Sequence, residues 1–275
     1  EHGFHNEICE DVAASAMNFI LQHGIKPVML RGMVLCGNFN HEKLYRMAQT
    51  FRDCCEKHDM MFAGMEIGAQ PVNFDADMYH VSCTVTGVAD RSRYLDRTKI
   101  QEGDVLIGFR TDGIEGSNYP FVKGMLDRKP ELLHARVDAG HTLLELLMQP
   151  GRAYTKEVEA LQEKGWLHAL YRMGNRLVSE KIWSGIPAGL SACIDLSMVP
   201  ILPLYRFLYE QDMIGEMAFP HQFPMGIGMI AVVPKEREEA VLELVGRTVE
   251  CWRIGQIVRD REQEARAWAK GRLKW

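Results

Sequence analysis

Residues 150–156 read Pro150-Gly151-Arg152-Ala153-Tyr154-Thr155-Lys156, with Arg152 and Lys156 four apart across the start of an expected helix. Two cations at a helix start suit an anionic ligand, because the unpaired N–H groups there add positive potential. A solvated basic face has the same spacing. Gly64-Met65-Glu66-Ile67-Gly68-Ala69-Gln70-Pro71 follows an expected strand. Its glycines permit close backbone approach, and Glu66 can hold a ligand hydroxyl or a metal ion; taken alone, these residues favour the plainer reading of a tight turn carrying a surface carboxylate. Phe223-Pro224-Met225-Gly226-Ile227-Gly228-Met229 precedes another strand. It either turns backbone N–H groups toward a phosphate or is a glycine-rich strand start. His5 and His168 stand alone in sequence, with no triad or metal cluster around them. No Walker loop, nucleophile elbow, zinc-protease pair or dinucleotide fingerprint occurs, and no catalytic residue is singled out.

Those stretches must be positioned by a framework that reads as mixed α/β. Residues 8–21 place Ile8, Val12, Ala16, Phe19 and Ile20 at helical spacing, and Gly24 stops the run. Residues 27–36 read as a strand, 44–55 as a helix with Leu44, Met47, Phe51 and Cys55 on one face, and 60–63 as a second strand, which together make a crossover unit. Residues 78–88 alternate through Tyr79, Val81, Cys83 and Val85 as a half-buried strand. After a charged stretch at 90–103 the alternation resumes, with strands expected at 104–109, 192–194, 228–233 and 252–257. Helices are expected at 142–148, 156–163, 201–210 and 236–249. We therefore expect a first domain over 1–99, a second over 100–258 and a helical tail over 259–275.

Composition bounds the function. The chain has 275 residues, 47% hydrophobic and 25% charged, which is a globular balance long enough for two domains. With 32 basic against 37 acidic residues, it offers no general attraction to nucleic acid. Its apolar runs are too short to cross a bilayer, so no membrane role is expected. Seven cysteines without a C-x-x-C pair suggest reduced thiols in the cytoplasm, and the 16 methionines are core filler. The first residue is Glu1 rather than methionine, and an upstream segment is expected.

Taken in order, these segments resemble phosphoribosylformylglycinamidine cyclo-ligase, also called aminoimidazole ribonucleotide synthetase. Residues 11–24 followed by Lys26-Pro27 look like that family's helix before a strand, and Gly103-Asp104-Val105-Leu106-Ile107-Gly108 like the strand opening its second domain. Pro150, Arg152, Tyr154 and Lys156 match its Pro-Thr-Arg-Ile-Tyr-Val-Lys segment. Met225-Gly226-Ile227-Gly228-Met229 and Ile254-Gly255 match later strands, and residues 167–195 follow the pattern without a gap. The resemblance runs from His5 to about Val258.

The resemblance implies a two-domain α/β fold of mixed sheets, with the first domain pairing across a homodimer, or in a heterodimer with a related chain. It also implies a small-molecule nucleotide substrate, with ATP and Mg2+ activating a formyl oxygen so that an amidine nitrogen closes an imidazole ring in purine biosynthesis. The ATP- and substrate-binding positions that it implies are His5, Asp11, Asn18, Gly64, Glu66, Arg152, Tyr154 and Lys156, with Glu66 as the metal ligand. Several motifs differ. The glycine-rich and Asp-Gly-Val-Gly-Thr-Lys segments would precede Glu1. The Asn-Asp pair is Asn18-Phe19, the Gly-Gly-Glu-Thr-Ala-Glu-Met-Pro motif keeps Gly64, Glu66 and Pro71, and His-Ser-Asn-Gly-Tyr becomes Glu115-Gly116-Ser117-Asn118-Tyr119. A Thr-Gly-Gly-Gly turn becomes Gly174-Asn175-Arg176-Leu177, and Phe-Asn becomes Phe223-Pro224. Two functions follow as expectations: an ATP-dependent cyclo-ligase, or a non-catalytic paralogue with a structural or regulatory role in a dimer. Other ATP-using relatives, such as selenophosphate synthetase and thiamine-phosphate kinase, call for the same magnesium carboxylates.

Overall fold

The computed structural model describes residues 3–91, 94–114, 118–179, 184–212, 214–260 and 267–275. Helix α1 (His5–Leu21) leads into β1 (Lys26–Cys36), followed by α2 (His41–Lys57), β2 (Met61–Ala69) and β3 (Tyr79–Val88). The Asn40 side chain caps α2 by accepting the Lys43 N–H. The helix joins β1 to its parallel neighbour β2, as the crossover pattern predicts, while β3 runs antiparallel on the other edge of β1. Both helices cover one face of this three-stranded sheet. Cys9, Ala13 and Met17 of α1 and Met47, Phe51 and Cys55 of α2 meet Leu30 and Val34 of β1 in a dry cluster. Met33, Met61 and Val88 remain exposed.

One segment departs from the sequence expectation here. Residues 64–69 continue β2 instead of forming a turn. Gly64, at φ +91, absorbs an extra residue as a bulge opposite β1, and pairing resumes at Met65. A positive-φ glycine in a strand thus shifts register without ending the strand.

The second sheet has the order β5-β7-β4-β8-β6-β9, built from β4 (Val105–Arg110), β5 (Ala169–Arg172), β6 (Leu190–Asp195), β7 (Ile227–Val233), β8 (Cys251–Arg259) and β9 (Ala267–Lys270). Short helices α3 (Tyr119–Leu126) and α4 (Leu143–Leu147) lie between β4 and β5, with α5 (Thr155–Lys164). Helices α6 (Pro203–Glu210) and α7 (Phe219–Gln222) precede β7, and α8 (Glu238–Gly246) precedes β8. Both faces are apolar. Val158 and Leu161 of α5 and Val241 and Val245 of α8 pack on one, while Leu204, Tyr205, Phe219 and Phe223 help fill the other. This is why β7 reads as a continuous apolar run and not as an alternation.

The terminal segment corrects the expected helix. Arg259 ends β8, and Ala267–Lys270 forms a strand parallel to β6. The Ala, Glu, Arg and Lys content favours a helix locally, but the open edge of β6 supplies backbone partners and the chain takes them. Beyond β9, Trp275 stacks on Tyr209 at 4.0 Å and meets the edge of Phe219 at 4.7 Å. Trp275→Ala should therefore cost about 2 kcal/mol through lost packing. Urea denaturation checks this; an unchanged midpoint would show that the tail does not brace α6 and α7.

Candidate functional site

The segment leading to α5 is fixed by side chains from α1. Asn18 Nδ2 donates to the Arg152 carbonyl at 2.6 Å, and the Tyr154 N–H donates to Asn18 Oδ1 at 3.2 Å. One turn or more earlier, Asp11 Oδ1 accepts the Gly151 N–H at 2.9 Å. Burial pushes the Asp11 carboxyl up, against the opposing pull of that N–H and of Arg172. Tyr154 is 1% exposed and donates its hydroxyl to the Arg110 carbonyl at 2.8 Å. Gly228 sits beneath that hydroxyl, where a Cβ would come within 2.2 Å of it, so this glycine serves close packing.

Above this joint lies a cleft of about 800 Å³. Arg152 Nε donates to Asp112 Oδ2 at 2.7 Å, Arg110 Nε lies 3.3 Å from Asp112 Oδ1, and Arg110 also pairs with Glu250. The cleft is further lined by Lys57 and His58 at the end of α2 and by Lys156 in the first turn of α5. The His58 ring holds Thr155 through Nδ1 and Oγ1 at 2.7 Å. Burial lowers its pKa to about 4, helped by Lys57 and Lys156. Across the cleft, Asp138 accepts the backbone N–H groups of Gly140 and His141, both at 2.8 Å, and its carboxyl is held down chiefly by the former. The cleft is thus a mixed cavity in which Lys57, Arg110, Arg152 and Lys156 stand among the carboxylates of Glu10, Asp53, Asp112, Asp138 and Glu157, so its positive character is local and not general.

On the opposite side of α1 runs a second, more open groove of about 910 Å³. Glu10, Ala14 and Met17 of α1 face the cleft, whereas Asp11, Ser15 and Phe19 face the groove, together with β3 and the Gly174-Asn175 turn. Arg172 crosses from β5 to donate to Ser15 Oγ at 2.7 Å.

The family "AIR synthase related protein, C-terminal domain" matches residues 101–267. The chain belongs to the AIR synthase related family. Over 260 residues it is 28% identical to a phosphoribosylformylglycinamidine cyclo-ligase of Acetivibrio thermocellus, covering 94% of this chain and 76% of that protein. A Burkholderia multivorans protein of the same name is 26% identical over 262 residues, covering 95% and 74%. Among solved structures, thiamine-monophosphate kinase from Stenotrophomonas maltophilia superposes with a TM-score of 0.71 at 16% identity, covering 98% of this chain and 80% of that one. The hydrogenase maturation protein HypE gives 0.68 at 15%, covering 97% and 77%. These likenesses establish the AIR synthase-like fold.

Within that family, the residues expected to bind ligand fall into five places. Arg152, Tyr154 and Lys156 line the cleft, Tyr154 mainly as its floor. Asp11 lines the groove but spends a carboxylate oxygen on Gly151. Asn18, 3% exposed, has both ends of its amide bonded inside the joint, so it serves there as a clamp. His5 packs edge-on against Tyr79 at 5.2 Å and lines neither cavity. Gly64 and Glu66 lie in β2, away from both cavities, with Glu66 paired to Arg31 at 3.1 Å. His168 bonds the buried Asp104 carboxylate at 2.7 Å, which is a structural latch. The 223–229 stretch is a strand start: Ile227 N–H bonds the Pro224 carbonyl and Phe223 is buried. Glu115, Gly116 and Ser117 lie outside the described residues.

The donor set does not fit magnesium at the expected place. Glu66 is engaged by Arg31, Phe19 offers no oxygen, and among the described residues no group of three or more His, Cys, Asp or Glu is placed to hold a metal. Lys57, His58, Asp112, Asp138 and His141 had no sequence signal as a group, because the fold alone brings them to one cleft.

Two outcomes follow. Asn18→Leu leaves one buried carbonyl and one buried N–H unpaired and should cost about 2–4 kcal/mol, read by chemical denaturation; a neutral result would show that water replaces the clamp. For His58, the unfolded ring takes up a proton near pH 6.5 that the folded ring refuses until about pH 4, so stability falls as pH drops through that window. His58→Gln should flatten this slope between pH 7 and 5, leaving the smaller same-signed contribution of His23. Parallel slopes for the two proteins would refute the assignment.

Proposed function

We propose that this chain acts with the ligands of its named relatives, as an ATP-dependent cyclo-ligase of purine biosynthesis in the cytoplasm. The observation that carries the reading is the relationship to named cyclo-ligases over 94–95% of this chain and 74–76% of theirs, together with the cleft at Arg152, Tyr154 and Lys156. ATP as a ligand is supported by structural neighbours solved with nucleotides: HypE in complex with ATP, and a second thiamine-phosphate kinase with AMPPCP and TMP. In this reading ATP gives its terminal phosphoryl group to the formyl oxygen of phosphoribosylformylglycinamidine. An amidine nitrogen then forms the new C–N bond, the C–O bond breaks, and ADP and phosphate leave. Arg152, oriented by Asp112, and Lys156 neutralise phosphate charge that builds up in the cleft. No step is assigned to magnesium, whose ligands are not assembled among the described residues.

A second reading is favoured by Phe19 and by the Arg31–Glu66 pair, which replace or occupy the expected carboxylates. It is a non-catalytic paralogue that binds the ligands and serves a partner chain. In either case we propose pairing, with a second copy or a related chain, through the outer face of the first sheet, where Met33 and Met61 are exposed.

Calorimetric titration with ATP and magnesium, followed by an ADP-release assay with the formylglycinamidine substrate, separates the readings. Binding with ring closure supports the cyclo-ligase, binding without ADP release supports the paralogue, and no binding defeats both. Phe19→Asp should raise magnesium affinity in the presence of ATP several-fold if that position belongs to a metal site. Met33→Glu should convert a dimer to a monomer by light scattering; a persisting dimer would place the interface elsewhere.

A further inference from the structure

Helix α2 ends where α5 begins, although the two are almost a hundred residues apart in the chain. Their junction brings together Lys57, His58, Thr155 and Lys156. These four side chains form a wall shared by the main cleft and a smaller pocket of about 330 Å³ on the other side. The bond between His58 Nδ1 and Thr155 Oγ1, at 2.7 Å, fixes the ring plane and leaves the second ring nitrogen unengaged by it.

The charges around this wall are unequal. Every arginine of the cleft has a carboxylate partner: Arg152 has Asp112, and Arg110 has Asp112 and Glu250. In the smaller pocket Lys26 is paired with Glu159 at 2.7 Å. Lys57 and Lys156 are different, since among the described residues neither lies within ion-pair distance of a carboxylate. Glu10 feels the charge of Lys57, but its own burial drives it toward the neutral form. Asp59, from the end of α2, and Asp90 line the smaller pocket, and Glu157 and Asp53 the cleft. Two ammonium groups without a carboxylate partner, one from the end of α2 and one from the start of α5, therefore flank an imidazole that burial, helped by their field, keeps neutral. An anion seated between them would supply the missing counter-charge to both and accept a hydrogen bond from the ring. A phosphate monoester has the required charge and enough acceptor oxygens for three donors at once.

We propose that Lys57, His58 and Lys156 form a phosphate subsite where α2 ends and α5 begins, taking the phosphate group of a small phosphorylated ligand whose remainder lies along the cleft toward Arg152. This deepens the proposed reading of the cleft and rests on it only for the class of ligand; it does not require ring closure. Because the lysines come from different helices, an occupied subsite also ties the end of α2 to the start of α5.

The test is a histidine-detected NMR titration of the full chain with inorganic phosphate, AMP and adenosine, at constant ionic strength set with chloride. Saturating phosphate and AMP should each raise the His58 pKa from about 4 by a unit or more, whereas adenosine and chloride should not move it. Lys57→Ala and Lys156→Ala should each weaken phosphate binding about 5- to 10-fold. Both lysines are exposed, so the variants should keep the wild-type circular dichroism spectrum and thermal midpoint. His58→Gln, which retains a donor, should weaken binding less than either. A His58 signal that responds equally to chloride, or phosphate binding indifferent to both lysine substitutions, overturns the subsite. If ATP binds and ADP is released while His58 is unmoved, the subsite falls and the cyclo-ligase reading stands. If phosphate moves His58 but no ADP is released, the subsite stands and the cyclo-ligase reading falls.

Discussion

The structure depends on one buried amide. Asn18 projects from α1 into a dry joint and there satisfies a carbonyl and an N–H of the 152–154 segment at once. Neither backbone group has a strand or helix partner to return to, so the amide is not exchangeable for an apolar side chain of similar size. The segment it grips is itself tied to the second sheet, because Tyr154 is wedged between Phe109 and Gly228 and bonded to the Arg110 carbonyl. Helix α1 and the second sheet therefore share the stretch that leads into α5. Everything that lines the cleft from either side is positioned relative to it.

That joint decides which cations of the cleft are available. Arg110 and Arg152 share Asp112, and Glu250 completes an alternating row of two positive and two negative groups. Such a row holds its members in place but leaves little net field, especially where solvent screens it. Arg152 can still present its guanidinium edge in a defined direction, which favours orientation of a ligand more than its attraction. The unbalanced positive charge comes from Lys57 and Lys156, outside the row. Attraction and orientation are thereby divided between different residues.

Much of the framework was legible because its signals are local. The alternation of β3, the crossover through α2 and the stripe of α8 each arise from side chains within ten or so residues of one another. The missed features are those decided at a distance. Gly64 reads as a turn until its register opposite β1 shows a bulge. Ala267–Lys270 has the composition of a helix, yet the edge of β6 makes it a strand. In the site, the Arg152 and Lys156 spacing was visible from sequence, whereas Lys57 and His58 become relevant only because α2 stops where α5 starts. The two bonds of Asn18 leave no local trace in the sequence, because their partners lie more than 130 residues away.

The same dipeptide separates fold from function. Consecutive residues on a helix point about 100° apart, so Asn18 turns inward and is 3% exposed while Phe19 turns toward the groove and is 57% exposed. The inward residue matches the pattern that the resemblance gives, and its amide satisfies two backbone groups of the joint. The outward residue packs edge-on against His23, and it stands where the resemblance places a carboxylate. A substitution confined to the groove side of α1 leaves the cleft side, with Met17 and the segment that Asn18 holds, geometrically untouched. Change on the groove side and preservation of the cleft are therefore compatible in one chain, since α1 separates the two cavities and only its buried face is required by the fold.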